Sequence, residues 1–184
     1  MIDKFYAFVE DKSDKNLSNI QTLPNGWRNI SGLCFLPDPD LKELGWIKIT
    51  DSDILNYSCS DQLLEQFKYR LCDEVANLRW EAQTESITYD EISYVLTEST
   101  VNSLYHKRNL VANNLDSTYN WKTRDGVVEL TGSKIVELTD AIHDYIQKCF
   151  DIETNFASLI LSKKSLKSLL ELDYNITWPS TELS

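Results

Sequence analysis

TGSKIVELTDAIHDYIQKCFDIETNFASLIL, residues 131–161, is the segment with the clearest pattern in the chain. This spacing predicts one α-helix about 45 Å long, with its apolar residues on one side. Thr131 can cap its N-terminus, and no proline interrupts it. We expect the apolar side to pack against another part of the fold or against another chain. The apolar residues recur at steps of three and four, at Ile135, Leu138, Ile142, Tyr145, Cys149, Ile152, Phe156 and Leu159.

Two arrangements would bury this apolar side: a coiled coil between identical chains, or the central core helix of one domain. A coiled coil favours charged residues at its e and g positions. If Ile135 occupies position a, then Ile146 and Ile160 fall at position e and widen the apolar stripe. Tyr145 and Phe156 are bulky for a narrow seam. The pattern favours a core helix with one end exposed to a partner chain, and the coiled coil stays the alternative.

The same helix supplies the candidate residues for contact between subunits. They lie on the apolar stripe or on its widened edge, where a sister chain could cover them. The candidate interface residues are Tyr145, Ile146, Ile152, Phe156 and Ile160.

Length and composition limit the class of protein. A chain of 184 residues with 42% hydrophobic content can bury one core of ordinary size or two small ones. The chain has no apolar run of about 18 residues, so we expect no membrane span. Residues 1–10 lack a cationic segment followed by an apolar one, so we expect no secretory signal. The four cysteines are widely separated and are predicted to be reduced thiols.

The charge balance argues against a nucleic-acid partner. There are 18 basic and 29 acidic side chains, for a formal net charge of −11, which repels a phosphate backbone. The densest basic cluster is Lys163, Lys164 and Lys167, and the solvated face of a terminal helix explains it better. We therefore predict no binding to nucleic acid.

The N-terminal part of the chain shows strand patterns. Pro24-Asn25-Gly26 is a strong turn signal, since glycine accepts positive φ. Trp27 and Trp46 are the expected packing anchors. We predict a small β-rich unit over residues 1–54. Its predicted strands are Lys4–Val9, Ile20–Leu23 and Trp46–Thr50.

The following part of the chain alternates helix and hairpin patterns. A helix over residues 60–83 has apolar side chains at helical spacing, and we expect the long helix to pack against it. Further helices are predicted over 97–113 and 164–171. Two short hairpins are predicted, Ile87–Tyr89 with Ile92–Leu96, and Tyr119–Lys122 with Val127–Leu130 around Asp125-Gly126.

Together these elements predict an α+β fold. A small β-rich N-terminal unit is followed by a helical domain with two short β-hairpins and a long C-terminal helix. The predicted domains are residues 1–54, residues 55–171 and a C-terminal tail over 172–184.

Residue types that carry catalysis or bind metal are few and scattered. His143 has one carboxylate, Asp140, three residues before it, and two ligands alone hold a metal weakly. The five glycines form no phosphate-binding loop, and no hydrolase or metalloprotease motif occurs. Carboxylate pairs stay open, since they need only spatial proximity. We select no catalytic, cofactor-binding or metal-binding residue, and we expect no cofactor.

The segment from Leu78 to Ile160 resembles a domain of unknown function found in bacteriophage tail-fibre and tail-associated proteins. The spacing of W-K-x-x-D-G and a downstream Q-x-x-F is the most specific part of this resemblance. A softer similarity covers Trp27–Leu33 and Leu44–Ile47, which resemble the opening of short phage proteins with such domains. The matching features are Arg79, the first hairpin, Tyr119-Asn120-Trp121-Lys122, Asp125-Gly126, Leu130-Thr131, Gln147-Lys148-Cys149-Phe150 and Glu153.

The resemblance implies a virion setting and carries over no catalytic residue. It implies a non-enzymatic structural component of a phage tail, made in the host cytoplasm, that binds other tail proteins as a tail-fibre-associated, adaptor or baseplate subunit. A homo-oligomer is expected, with a trimer favoured because it fits a three-fold fibre. The chain lacks long fibrous repeats, so a tail-fibre assembly chaperone is the alternative. An enzyme that acts on envelope polysaccharide is the third hypothesis.

Overall fold

A computed structural model of the protein describes residues 5–8, 19–22, 46–48, 59–84 and 86–183. The first three segments are the strands β1 (Phe5–Phe8), β2 (Asn19–Thr22) and β3 (Trp46–Lys48). They form one antiparallel sheet in the order β2-β1-β3. The predicted turn at Pro24-Asn25-Gly26, the side chains of Trp27 and Trp46, and the boundary after residue 54 lie outside what is described.

The remaining elements alternate helices with short strands, so the predicted α+β fold class is confirmed. The helices are α1 (Asp61–Gln83), α2 (Glu98–Val111), α3 (Gly132–Ser162) and α4 (Leu166–Leu170). The strands are β4 (Ser86–Tyr89), β5 (Ile92–Val95), β6 (Thr118–Lys122), β7 (Val127–Thr131) and β8 (Glu182–Leu183). Both predicted hairpins are present, as the antiparallel pairs β4–β5 and β6–β7.

The described residues divide into two compact units. The first unit contains β1 to β3 together with residues 59–75 and 155–177. The second unit contains residues 76–154 and 178–183. Both α1 and α3 contribute residues to each unit. The domain boundaries drawn from the sequence, after residues 54 and 171, stay predictions.

In the first unit, the start of α1 is fixed by a local cap. The Ser60 hydroxyl accepts a hydrogen bond from the Leu63 amide at 3.2 Å, and Asp61 in the first turn complements the helix dipole. The Cys72 thiol lies 4.0 Å from the Ala157 carbonyl oxygen, so α1 contacts α3 here, as expected. Among the side chains described in this unit, the buried apolar ones are Leu63, Leu64, Phe67, Leu71, Val75, Ile160, Leu166, Leu169 and Tyr174.

The core of the second unit is built on the first half of α3. Strand β4 is the middle strand of a three-stranded sheet, antiparallel to β5 and parallel to β8. The β6–β7 hairpin leads directly into α3. The core side chains are Ile87, Tyr89, Tyr94, Leu96, Leu104, Val111, Leu130, Ile135, Leu138, Ile142, Tyr145 and Cys149. All the apolar positions of α3 from Ile135 to Cys149 that periodicity singled out are therefore buried.

The first residue of α3 lies against the loop that precedes β6. The Gly132 amide donates to the Ser117 carbonyl at 2.9 Å. A Cβ atom at Gly132 would lie 2.7 Å from the Asn114 carbonyl oxygen and 2.9 Å from the Leu115 Cα. Both atoms belong to the backbone, which cannot move aside as a flexible side chain would. The close approach of the loop thus requires glycine here.

We therefore expect Gly132→Ala to destabilise the protein. In an open helix alanine is better than glycine by about 1 kcal/mol. Here the added methyl clashes with the backbone, and we expect a loss of about 1–3 kcal/mol. Urea denaturation followed by circular dichroism measures the change. The control, Ser133→Ala, removes only an exposed hydrogen bond to Glu137 and should have a smaller effect. Equal or higher stability of Gly132→Ala would contradict the packing described.

The β4–β5 turn places two non-glycine residues in the left-handed region. Asp90 has φ 49° and Glu91 has φ 64°. Two consecutive positive φ values are typical of the type I′ hairpin turn, which glycine adopts most readily. The Asp90 carboxylate also pairs with the Lys134 ammonium at 2.5 Å. Replacing Asp90, the first of the two turn residues, by glycine would therefore remove this ion pair. Glu91 is exposed.

We expect Glu91→Gly to stabilise the protein by about 0.5–1 kcal/mol. Relief of the left-handed conformation gains about 1–2 kcal/mol, and the greater freedom of glycine in the unfolded chain offsets part of it. The control is Glu129→Gly, at an exposed position of β7, where the same exchange should destabilise. Thermal unfolding of both variants gives the comparison. A lower melting temperature for Glu91→Gly would count against the turn geometry.

Candidate functional site

Two of the candidate interface residues are covered by the chain itself. Tyr145 is 2% exposed, and its hydroxyl donates to the Ala82 carbonyl at 2.7 Å inside the second unit. Ile160 is fully buried in the first unit. Neither side chain presents surface to another chain in this structure. They act as core residues of the two units.

The other three candidates keep part of their surface exposed. Ile146 packs against the core of the second unit, and Ile152 is half-buried in the same unit. The Phe156 ring lies 5.7 Å from the Tyr174 ring in the first unit, measured between centroids. Partial exposure is compatible with contact to a sister chain. The subunit interface stays a prediction.

Several residues that carry the sequence resemblance meet around one guanidinium group. The Nε atom of Arg79 donates to a carboxylate oxygen of Glu153 at 2.6 Å, and an Nη1 atom donates to the Gln83 side-chain oxygen at 2.5 Å. The guanidinium carbon lies 4.3 Å from the centroid of the Phe150 ring. We call Arg79, Gln83, Phe150 and Glu153 the arginine cluster. It ties α1 to α3 within the second unit.

The arginine cluster is mostly shielded from water. The side chains of Arg79 and Glu153 are 14% and 23% exposed. Partial burial strengthens the attraction between the two charges, while the loss of hydration opposes it. The ring of Phe150 adds a cation–π contact on the face of the guanidinium. The Nε and Nη1 groups of Arg79 and one planar face of its guanidinium are thus contacted by this protein's own side chains.

The other resemblance residues shape the hairpin before α3. Tyr119 to Lys122 form most of β6, and Asp125-Gly126 lies in the turn. Gly126 has φ 142°, a conformation that other residues rarely adopt. The Thr123 amide donates to the Gly126 carbonyl at 2.7 Å and closes the turn. These residues determine local structure.

The two members of the carboxylate–histidine pair noted on α3 each contact a different residue of α2. Asp140 accepts two hydrogen bonds from the Arg108 guanidinium, at 2.9 and 3.1 Å. The His143 Nδ1 atom lies 2.9 Å from the Tyr105 hydroxyl. In the stretches 59–84 and 86–183, no three histidine, cysteine or acidic side chains are placed to hold a metal ion. The pair serves to join two helices.

Two of the described cysteines, Cys59 and Cys149, have thiols whose pKa is raised by burial. Burial raises the pKa of the Cys149 thiol, and the Tyr145 hydroxyl and the Arg79 guanidinium offset this only in part. Burial also raises the pKa of Cys59, and the charge of Asp61 adds to it. A raised pKa keeps a thiol protonated at neutral pH and makes it a poor nucleophile.

A groove of about 780 Å³ in the second unit is lined by α2 and β6. We call it the α2–β6 groove. Along α2, successive turns contribute Glu98, Asn102, His106 and Leu110, at a spacing of four residues. On the other side of α2, Leu104 and Val111 are buried in the core. The helix thus presents a polar face to the groove and an apolar face to the protein.

A second row of side chains and one strand complete the groove. Ser99, Ser103 and Lys107 lie beside the first row on α2, and Asn120 and Trp121 come from β6. The Lys107 ammonium lies 4.2 Å from the centroid of the Tyr119 ring, so its position is fixed by a cation–π contact. The Trp121 side chain is half-buried and packs against the core of the second unit.

Sequence reasoning did not identify this groove. It noted Asn120 and Trp121 only as part of the resemblance. Asn102 carried no signal, since an exposed asparagine on a helix is common. The proximity of these residues depends on how the β6–β7 hairpin docks beside α2, which periodicity does not encode.

Among the residues described, none of the helices combines the length and the hydrophobicity that crossing a bilayer requires. The fold and its contacts define an α+β protein in which the arginine cluster and the hairpin residues hold the structure together. The chain belongs to the family described as Domain of unknown function (DUF4376), which it matches over residues 66–176. No curated protein and no solved structure matches the chain.

We expect Glu153→Gln to destabilise the protein by about 1–3 kcal/mol, because it leaves the shielded Arg79 charge without its counter-ion. Urea denaturation at neutral pH measures the loss. Glu137→Gln is the matched control: it removes a carboxylate from the same helix, at a half-exposed pair with Lys134. The loss of stability caused by Glu137→Gln should be much smaller. If the two variants lose equal stability, the arginine cluster has no special role.

Proposed function

We propose that this protein is a non-enzymatic structural component of a bacteriophage tail, which binds other virion proteins as a tail-fibre-associated, adaptor or baseplate subunit. The proposal starts from the resemblance carried by Arg79, the W-K-x-x-D-G segment and the Q-x-x-F segment. Membership of a family of unknown function leaves this setting open.

The observation that carries the proposal is what the resemblance residues do. Arg79 contacts both Phe150 and Glu153, and Gly126 lies in a turn. An active site instead needs groups that are free to meet a substrate. Residues used to maintain a fold are what a scaffolding protein requires.

The surface of α3 supports contact with other proteins. Phe150 in the second unit is exposed, as are Leu159 and Leu161 in the first. Exposed apolar side chains favour association when a partner covers them. Within the first unit, Leu159, Leu161 and the half-buried Phe156 provide apolar area for a homo-oligomer. We propose a trimer, which would match a three-fold fibre.

Proteomic analysis of purified phage particles tests the setting. We expect the protein to be retained in the mature tail at a fixed copy number relative to the major tail protein. Presence in infected-cell lysate but absence from particles would replace this proposal with the assembly chaperone. Turnover of an envelope polysaccharide by the purified protein would replace it with an enzyme.

Light scattering coupled to size exclusion tests the oligomer. The expected mass is three times the 21.3 kDa of one chain. Phe156→Ser should lower the association constant. The control is Tyr69→Ser, which removes an exposed aromatic side chain from α1 and should have a smaller effect. A monomer at all concentrations would contradict self-association while leaving the virion setting to the particle analysis.

A further inference from the structure

We propose that the α2–β6 groove is a binding site for a neutral oligosaccharide. The lining chemistry carries this inference, and the inference does not rest on the tail proposal. The groove has a volume of about 780 Å³ and is broadly open to solvent, so a bound oligosaccharide would keep one side in water. All its lining residues belong to the second unit.

The groove offers neutral hydrogen-bonding groups in both directions. The amides of Asn102 and Asn120 each donate and accept, as do the hydroxyls of Ser99 and Ser103. Within the described part of the chain, no hydrogen bond engages the side chains of Asn102 or Asn120, and both are exposed. A sugar hydroxyl is also both donor and acceptor. Each of these groups can therefore pair with one.

Trp121 supplies the complementary apolar surface. A pyranose ring carries hydroxyls at its rim and C–H groups on its faces, so it needs a flat apolar contact beside polar partners. An indole ring provides such a contact together with a polar N–H group. Trp121 packs against the core, which holds it in place before a ligand arrives. Little conformational entropy is then lost on binding.

The charge of the groove disfavours an anionic ligand. Its permanent charges are Glu98 and Lys107, which are opposite in sign, and the Lys107 ammonium is held on the Tyr119 ring. Phosphate and sulfate sites instead converge several cationic groups or bidentate arginines. The chain's net charge of −11 adds a general repulsion.

The polarity of the groove also disfavours an apolar helix or an apolar peptide as its ligand. Of the side chains that line it, only Leu110 and Trp121 are mainly apolar. A hydrophobic partner would bury the asparagine and serine groups without hydrogen bonds, which is costly. Hydrolysis of a bound sugar would need a pair of carboxylates, and the lining contributes Glu98 alone. The site is therefore one of binding.

A glycan array with neutral and acidic oligosaccharides, probed with the full chain, tests the site. Each neutral glycan bound is then titrated by calorimetry. We expect binding of neutral glycans and a loss of about tenfold or more in affinity for the double variant Asn102→Ala/Asn120→Ala, which removes two hydrogen-bonding partners. Both side chains are exposed, so this variant should fold normally.

The aromatic contact is tested with a pair of tryptophan variants. Trp121→Ala should abolish detectable binding, whereas Trp80→Ala, at a 53% exposed position of α1 outside the groove, should leave the affinity unchanged. Retained circular dichroism separates loss of binding from loss of fold. No binding to any neutral glycan, a preference for acidic glycans, or equal affinity of the asparagine double variant would each overturn the proposal.

Discussion

Burial of the apolar side of α3 is the constraint on which the described structure depends. From Ile135 to Cys149 this side lies in the core of the second unit, and Ile160 lies in the core of the first. Each fully buried aliphatic side chain contributes roughly 1.5–3 kcal/mol relative to exposure. No other helix contributes as many buried residues to the core of the second unit. The sheet, the hairpin and α2 can be understood as the surfaces that cover this helix there.

Two buried tyrosine hydroxyls, one on α3 and one in the C-terminal segment, each pair with a carbonyl near the end of a helix. The Tyr145 hydroxyl donates to the Ala82 carbonyl in the last turn of α1, and the Tyr174 hydroxyl donates to the Leu169 carbonyl in the last turn of α4. The last carbonyls of a helix have no partner within it. Across the described residues, every buried side-chain nitrogen or oxygen has a hydrogen-bond partner. A phenylalanine at position 145 would fill the space but remove the hydroxyl that pairs with the Ala82 carbonyl. The Leu169 carbonyl also accepts from the Leu172 amide at 3.2 Å, so it would keep a partner without Tyr174.

Local sequence information predicted the elements well and their assembly only in part. The helices at 60–83 and 131–161 are found at Asp61–Gln83 and Gly132–Ser162, because apolar spacing and capping residues act within a few turns. The β6–β7 hairpin follows from its Asp125-Gly126 turn, and the β4–β5 hairpin follows from two short strand patterns joined by Asp90-Glu91. Strand β8, with two residues, is too short to show any period. The arginine cluster and the α2–β6 groove join residues far apart in sequence, so no local pattern could reveal them.

Periodicity also could not show which residues of α3 are covered by their own chain and which are available to another chain. It placed Tyr145, Ile152 and Phe156 on one apolar stripe and Ile160 on its widened edge. All four were candidates for contact with another chain. In the structure Tyr145 and Ile160 are buried by their own units, and the other two are half-buried. A stripe specifies that a side must be covered, but the identity of the cover depends on the tertiary fold.

The parallel pairing of β4 with β8 affects how the protein is made. Thr88 pairs with Glu182, so β4 leaves the ribosome long before its neighbour exists. During synthesis the nascent sheet has β5 on one side and an open row of amide and carbonyl groups on the other. Chains translated side by side on one message would carry the same open row at the same stage. Crowded polysomes therefore favour strand exchange between neighbouring nascent chains at this stage.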